Sequence, residues 1–172
     1  MGLTRLNHAV LYVRDVELSA GFYRDVLGFR TVQALPGAAF LRAPDSTNDH
    51  DLGLFAIGPA APSEAGRGRV GLYHLAWEVD TLATLASLAD RLADAGALVG
   101  ASDHVTTKSL YAHDPDGLEF EVCWIVPADR LGELPPAADR PPAPLPLDLP
   151  GEIARYGAET RGGVGVSVPA AI

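Results

Sequence analysis

The sequence is poor in sulfur, with one cysteine and one methionine in 172 residues. A single thiol, Cys123, excludes any disulfide within the chain and gives no sign of an oxidising compartment. Basic residues are also few: 13 Lys and Arg stand against 22 Asp and Glu, for a formal net charge of −9. That balance argues against nucleic acid and against an anionic membrane surface as partners, because both require clustered cations. Long apolar runs are missing too. None approaches the roughly 18 residues of a spanning helix, and the N-terminus carries no basic, apolar, small-residue leader pattern. A cytoplasmic location is the resulting expectation. Apolar content of 48% and charged content of 20% are ordinary for a globular protein. The chain is long enough to bury a core as one domain, or one domain with a tail.

Leu6 to Val13 is a near-continuous apolar run interrupted by His8, short enough for a buried strand. Asp15 is placed to cap a helix in which Phe22, Tyr23, Val26 and Leu27 recur at helical spacing, and Gly28 is its stop. Phe29–Leu35 and Ala38–Ala43, separated by Pro36-Gly37, read as a hairpin. A polar loop then delivers His50 ahead of a strand at Leu52–Ile57. After a connector rich in Gly, Pro, Ala and Ser the pattern restarts, with a strand Tyr73–Val79 interrupted near its start by His74. Asp80 or Thr81 caps a helix striped by Leu82, Leu85, Leu88, Leu92 and Ala95, and Gly96 stops it. Three more strands follow, at 98–105, 109–113 and 119–126. Both halves therefore read βαβββ, a repeat whose single copy is too small to bury its own sheet. The repeat occupies residues 1–126. Residues 127–172 form a Pro-rich C-terminal extension, with nine of the 14 prolines, that cannot be a third core-forming unit. A short helix is expected near 152–156 and a loose end at Gly162-Gly163; packing on the body, packing on a partner subunit and disorder all stay open for this segment.

The richest stretch runs from His104 to Glu121. Asp114-Pro115-Asp116-Gly117 is a strong turn signal, so the flanks are antiparallel strands. Alternation puts Glu119, Glu121 and Cys123 on one face and Leu118, Phe120 and Val122 on the other. Glu121 lies among apolar neighbours, where an unpaired carboxylate is costly, and needs a partner such as a metal ion. His8 and His74 open the two halves at matching positions. A histidine in an apolar strand is ordinarily a hydrogen-bonded core residue. Two at equivalent places in a repeat, with a Glu on a buried strand, instead match the two-histidine, one-carboxylate facial triad that leaves positions open on Fe(II).

The spacing His104, five residues ending at Ser109, Leu110, Tyr111, two residues, Asp114, Pro115, Asp116, Gly117, three residues, Glu121 resembles the marker of the type I extradiol ring-cleaving dioxygenases, such as catechol 2,3-dioxygenase, within the vicinal oxygen chelate superfamily. Ser102 departs from that marker, which has Gly, Asn, Thr or an aliphatic residue there. The resemblance covers residues 4 to 126 and implies an α+β fold of two βαβββ repeats forming a curved mixed sheet around one metal site, of the glyoxalase/bleomycin-resistance/dioxygenase type. It further implies His8, His74 and Glu121 as ligands of Fe(II), or of Mn(II) with the same ligands. His50 would be the acid/base beside the dioxygen site, and His104 and Tyr111 would hydrogen-bond to substrate oxygens. The implied activity is extradiol cleavage of a catechol-type substrate with dioxygen, by a homodimer.

Two other readings share the scaffold. A glyoxalase-like isomerase or lyase usually adds a carboxylate from the last strand of the first half, and Leu52–Ile57 contains none. A non-catalytic small-molecule binder of the bleomycin-resistance kind often lacks both the triad and the His/Tyr pair. His113 shares the face of Tyr111 without an assigned role, and Cys123 reads as a small buried thiol. Phe40, Trp77, Phe120 and Trp124 are candidates to shape the pocket.

Overall fold

The structure is a computed structural model, and it describes residues 2–3, 5–65 and 68–163. The chain packs as two compact units: residues 1–69 with Asp114–Leu118, and residues 70–113 with 119–172. Among the described residues no helix is long and apolar enough to cross a membrane.

In the first unit the elements run β1 (Ala9–Val13), α1 (Val16–Asp25), β2 (Arg30–Leu35), β3 (Ala38–Arg42) and β4 (Leu52–Ala56). Helix α1 starts where the Asp15 carboxylate accepts from the amides of Glu17 and Leu18 at 2.9 and 3.1 Å, meeting two donors that the helix leaves unpaired. It buries Val16, Ser19, Ala20 and Tyr23, a stripe at i, i+3, i+4 and i+7. Gly28, at φ 81°, closes it by donating its amide hydrogen bond to the Arg24 carbonyl at 3.0 Å, in a conformation costly for any residue with a Cβ. The sheet order is β1-β4-β3-β2, with β1 and β4 parallel and the remaining pairs antiparallel. One face, through Leu11, Val13, Leu41, Leu52 and Leu54, is buried. Val10 and Tyr12 of β1 stay exposed, so this apolar run is a one-sided strand rather than a fully buried one.

The second unit repeats the order with β5 (Leu75–Glu78), α2 (Leu82–Asp94), β6 (Leu98–Asp103), β7 (Thr107–His113) and β8 (Glu119–Ile125). Thr81, not Asp80, caps α2 by accepting the Thr84 amide at 3.1 Å. Leu82, Leu85, Leu88 and Leu92 form its buried stripe, while Ala95 falls outside it. Here β5 and β8 are parallel, as β1 and β4 are. Each repeat thus forms its own mixed sheet, and the architecture is α+β.

The extension packs within the second unit as far as residue 163. Its two-residue strand β9 (Leu145–Pro146) joins the free edge of β6, giving the order β5-β8-β7-β6-β9. Helix α3 (Leu149–Tyr156), capped by Asp148, brings Tyr156 to 5.3 Å between ring centroids from the buried Trp124. Gly162 is not loose. Its amide donates to the Asp80 carbonyl at 2.8 Å, and a Cβ there would stand 2.5 Å from the Ile125 carbonyl oxygen. A buried indole explains the arrangement: Trp124 Nε1 donates to the Thr160 carbonyl at 3.1 Å, so the extension satisfies a polar group that the repeat alone leaves open. Residues 164–172 lie outside the described residues.

Candidate metal and substrate site

In the first unit the sequence-predicted residues His8 and His50 come together. Their ring centroids are 4.6 Å apart, and Phe40 meets the His50 ring edge-on at 5.1 Å. His8 immediately precedes β1, where the first ladder bond runs from the Ala9 amide to the Asp51 carbonyl, and so falls beside the loop that carries His50. His8 Nδ1 lies 2.9 Å from Asn7 Oδ1, an acceptor that puts the proton on Nδ1 and keeps the Nε2 lone pair available. His50 Nδ1 lies 3.0 Å from Asp49 Oδ2, which orients that ring in the same way. The backbone and side-chain N–H groups of His50 hold the Asp49 carboxyl below its ordinary range. The His50 side chain is 19% exposed, so it is no solvated loop residue.

Asp51 holds this loop in shape. The carboxylate is buried and accepts from Ser46 Oγ (2.7 Å), Asn48 Nδ2 (2.6 Å) and the Ala43 amide (2.9 Å). Asn48 also donates to the Asn7 carbonyl at 2.8 Å, joining the His50 loop to the segment that bears His8. Sequence reasoning named neither Asn7, Asn48 nor Asp51. The only available signal was a polar loop between two apolar strands, which does not say which side chain turns inward.

In the second unit His74, Glu121, Tyr111 and His104 share one face of the sheet. Strand register places Tyr111 opposite Glu121 and His113 opposite Glu119. Glu121 finds the partners that its apolar setting requires: Ser109 Oγ donates to Oε1 at 2.5 Å, and His74 Nε2 lies 3.1 Å from Oε2. His104 Nε2 is 2.7 Å from the Tyr111 hydroxyl. Burial, then the Glu121 charge, push the Tyr111 phenol up. Glu119 lies 3.8 Å from His74 Nδ1 and 3.7 Å from His113 Nε2, so the outer carboxylate of the hairpin stands behind two imidazoles. Tyr73 also donates to it, which raises the Tyr73 phenol. Ser109 was legible in principle, since it shares Tyr111's face two residues away and its diagonal neighbour across the ladder is Glu121.

Phe120 and Trp124 face the core at 2% and 0% exposure and do not line this face. Alternation explains it, because Phe120 and Trp124 fall on the strand positions that alternate with Glu119, Glu121 and Cys123. Burial pushes the Cys123 thiol up to about 12, which leaves it a thiol and no nucleophile.

The donor chemistry suits a divalent cation. Glu121 and His74 meet at 3.1 Å, an approach of two lone-pair donors that requires either a proton or a cation between them. Imidazole with carboxylate is the ligand type that iron and manganese accept. Among the described residues no group of three His, Cys, Asp or Glu side chains is drawn together closely enough to hold a metal. The pair is assembled within the second unit, and His8 lies in the first.

Residues 5–122 match the sequence profile of the Glyoxalase/Bleomycin resistance protein/Dioxygenase superfamily. Among curated relatives, the chain is 31% identical over 119 residues to the catechol-2,3-dioxygenase of Bacillus subtilis (strain 168), covering 69% of this chain and 41% of that protein. It is 33% identical over 119 residues to biphenyl-2,3-diol 1,2-dioxygenase 3 of Rhodococcus globerulus, covering 69% of this chain and 62% of that protein. The match thus spans less than two thirds of each relative's length. A solved glyoxylase/bleomycin resistance protein/dioxygenase domain from Frankia sp. EAN1pec superposes with a TM-score of 0.57 at 24% identity, over 71% of this chain and 98% of that one, a likeness of fold. The profile match, the paired βαβββ sheets and the 31–33% relatives agree: this chain belongs to the glyoxalase/bleomycin resistance protein/dioxygenase superfamily.

Proposed function

We propose that the protein is an extradiol dioxygenase that opens the ring of a catechol-type substrate with dioxygen, using Fe(II), or Mn(II), held by His8, His74 and Glu121. The observation that carries this reading is the hydrogen-bonded His104–Tyr111 pair, 2.7 Å apart, on the sheet face that also holds Glu121 and His74. The similarity to two ring-diol dioxygenases supports it. A homodimer, expected from the superfamily, and a cytoplasmic location, the default expectation from the sequence, belong to the same proposal.

When bound, the metal supplies Lewis acidity toward the substrate hydroxyls and a route for electrons between diol and dioxygen. The protein does the rest. Tyr111, kept protonated, donates a hydrogen bond to a substrate oxygen as charge builds there, and His104 Nε2 fixes the direction of that hydroxyl. His50 holds and releases the proton at Nε2, its Nδ1 being tied to Asp49. Phe40 packs edge-on against the His50 ring and helps to hold its orientation.

The strand register argues against a four-ligand isomerase. In the second unit Ala76, two residues after His74, pairs with Glu121; in the first, Val10, two after His8, pairs with Gly53. The place equivalent to Glu121 therefore carries no side chain.

Protein loaded anaerobically with Fe(II), given catechol and then air, is expected to form a yellow ring-fission product. Metal-loaded protein that leaves a panel of catechols uncleaved would overturn this reading.

A further inference from the structure

Lys108 is an ion in a place where ions are rarely found. It is 1% exposed, on β7, one residue from Ser109. Its ammonium donates to Asp103 Oδ1 at 2.6 Å and lies 2.9 Å from Glu152 Oε2, the carboxylates being 19% and 14% exposed. A buried ammonium requires compensating charge. One of the two carboxylates comes from the end of β6, the other from α3 of the extension.

Asp103 has a second task. The same Oδ1 accepts the Val105 amide at 2.7 Å, and Val105 sits at φ 70°, a left-handed conformation that strongly disfavours a β-branched residue. Such strain persists only where the surroundings over-determine it. The bracing comes from within the 103–107 turn and from outside it. His104 N–H donates to the Thr107 carbonyl at 2.9 Å and Thr106 N–H to the His104 carbonyl at 2.8 Å. From outside, β9 pairs Leu145 with Asp103, and Glu152 reaches the same carboxylate by way of Lys108. The strained turn is the segment that holds out His104, whose Nε2 meets the Tyr111 hydroxyl. Glu152 and β9 both lie beyond residue 122, where the superfamily match ends.

We propose that Glu152 is a positioning residue. Acting through Lys108 and Asp103, it locks the 103–107 turn so that His104 stands against Tyr111, which makes the C-terminal extension a working part of the substrate-binding face. Its catalytic consequence rests on the dioxygenase reading above; its structural consequence does not.

The test compares full-length Glu152→Ala, Glu152→Gln and Leu88→Ala, the last a core truncation in α2 that lowers stability without touching the turn. The first readout is the nitrogen-15 and proton signature of the His104 ring in metal-free protein, with Tyr111→Phe marking the state in which the 2.7 Å contact is lost. Glu152→Ala is expected to move the His104 signals to the Tyr111→Phe position. Glu152→Gln, which keeps an oxygen within reach of the ammonium, is expected to keep them near wild type, and Leu88→Ala to leave them unmoved. The second readout is catechol cleavage, where Glu152→Ala should lose about tenfold in kcat/KM and Glu152→Gln should recover most of it. Glu152→Asp, one methylene short of Lys108, should give a smaller shift of the same kind and serves if the alanine variant does not fold. Unmoved His104 signals in Glu152→Ala, or an equal shift in Leu88→Ala, would overturn the proposal. A wild-type protein that cleaves no catechol overturns the dioxygenase reading instead, and the ring signals still decide whether Glu152 positions His104.

Discussion

The two repeats share a topology and differ in what they carry. Both place a histidine just ahead of a first strand that runs parallel to the last strand of the same repeat. In the first repeat the sheet face beside that histidine holds rings, with His8, His50, Phe40 and Phe55 in successive contact. In the second, Tyr73, His74, Tyr111 and His104 also stand in succession, but the face adds hydrogen-bonded pairs, Ser109 with Glu121 and His104 with Tyr111. Gly53 and Glu121 occupy the same register position and summarise the contrast. Duplication supplies two equal frames; on the proposed dioxygenase reading, a second carboxylate in the place of Gly53 would fill a coordination position that substrate and dioxygen need.

The largest way to break this comparison is Glu121→Ala. Activity is expected to fall to background, and metal affinity to fall by more than the roughly 10–100-fold that follows loss of an outer-shell partner, as read by a competitive chelator titration. Next comes His50→Phe, which keeps the ring stack and removes the proton carrier. Turnover should drop by about 10²–10⁴-fold with metal affinity unchanged, and intact turnover would remove His50 from the mechanism. Gly53→Glu sharpens the contrast by restoring symmetry. A Cβ at Gly53 meets Val10 at 3.4 Å and Phe40 at 3.7 Å, ordinary contacts that leave room for a side chain to begin there. Ring cleavage is expected to fall by about tenfold or more as a coordination position fills, while metal affinity holds. The smallest effect concerns the helix caps. Asp15 satisfies two amides and Thr81 one, so thermal unfolding should show Asp15→Ala costing up to about 2 kcal/mol and Thr81→Ala about 1 kcal/mol.

Much of the frame was legible in the chain because its causes are local. Asp15, Gly28, Thr81 and Gly96 mark helix ends through bonds that span only a few residues. The Asp114–Gly117 turn fixed the register of the hairpin, and that register set Tyr111 against Glu121. The strand starts were less legible. Leu6 to His8 looks like strand by composition, yet the ladder begins at Ala9, where the first partner across the sheet becomes available. Phe120 and Trp124, candidates for the pocket by aromatic character, turn to the core instead, as the alternation with Glu119 and Glu121 already dictates.

What the sequence by itself determined is the alternation, the caps, the repeat and the spacing from His104 to Glu121, all set by bonds and sterics between near neighbours. What tertiary structure decided is the company each group keeps: Asn7 and Asn48 about 41 positions apart in the chain, Trp124 with Thr160, and Lys108 with Glu152. The physical reason is that a buried polar group must be answered by some partner, while which distant residue answers it depends on how the sheets and the extension pack. An ordinary surface lysine by composition, Lys108 is a buried ion in the fold, with its ammonium between Asp103 of β6 and Glu152 of α3.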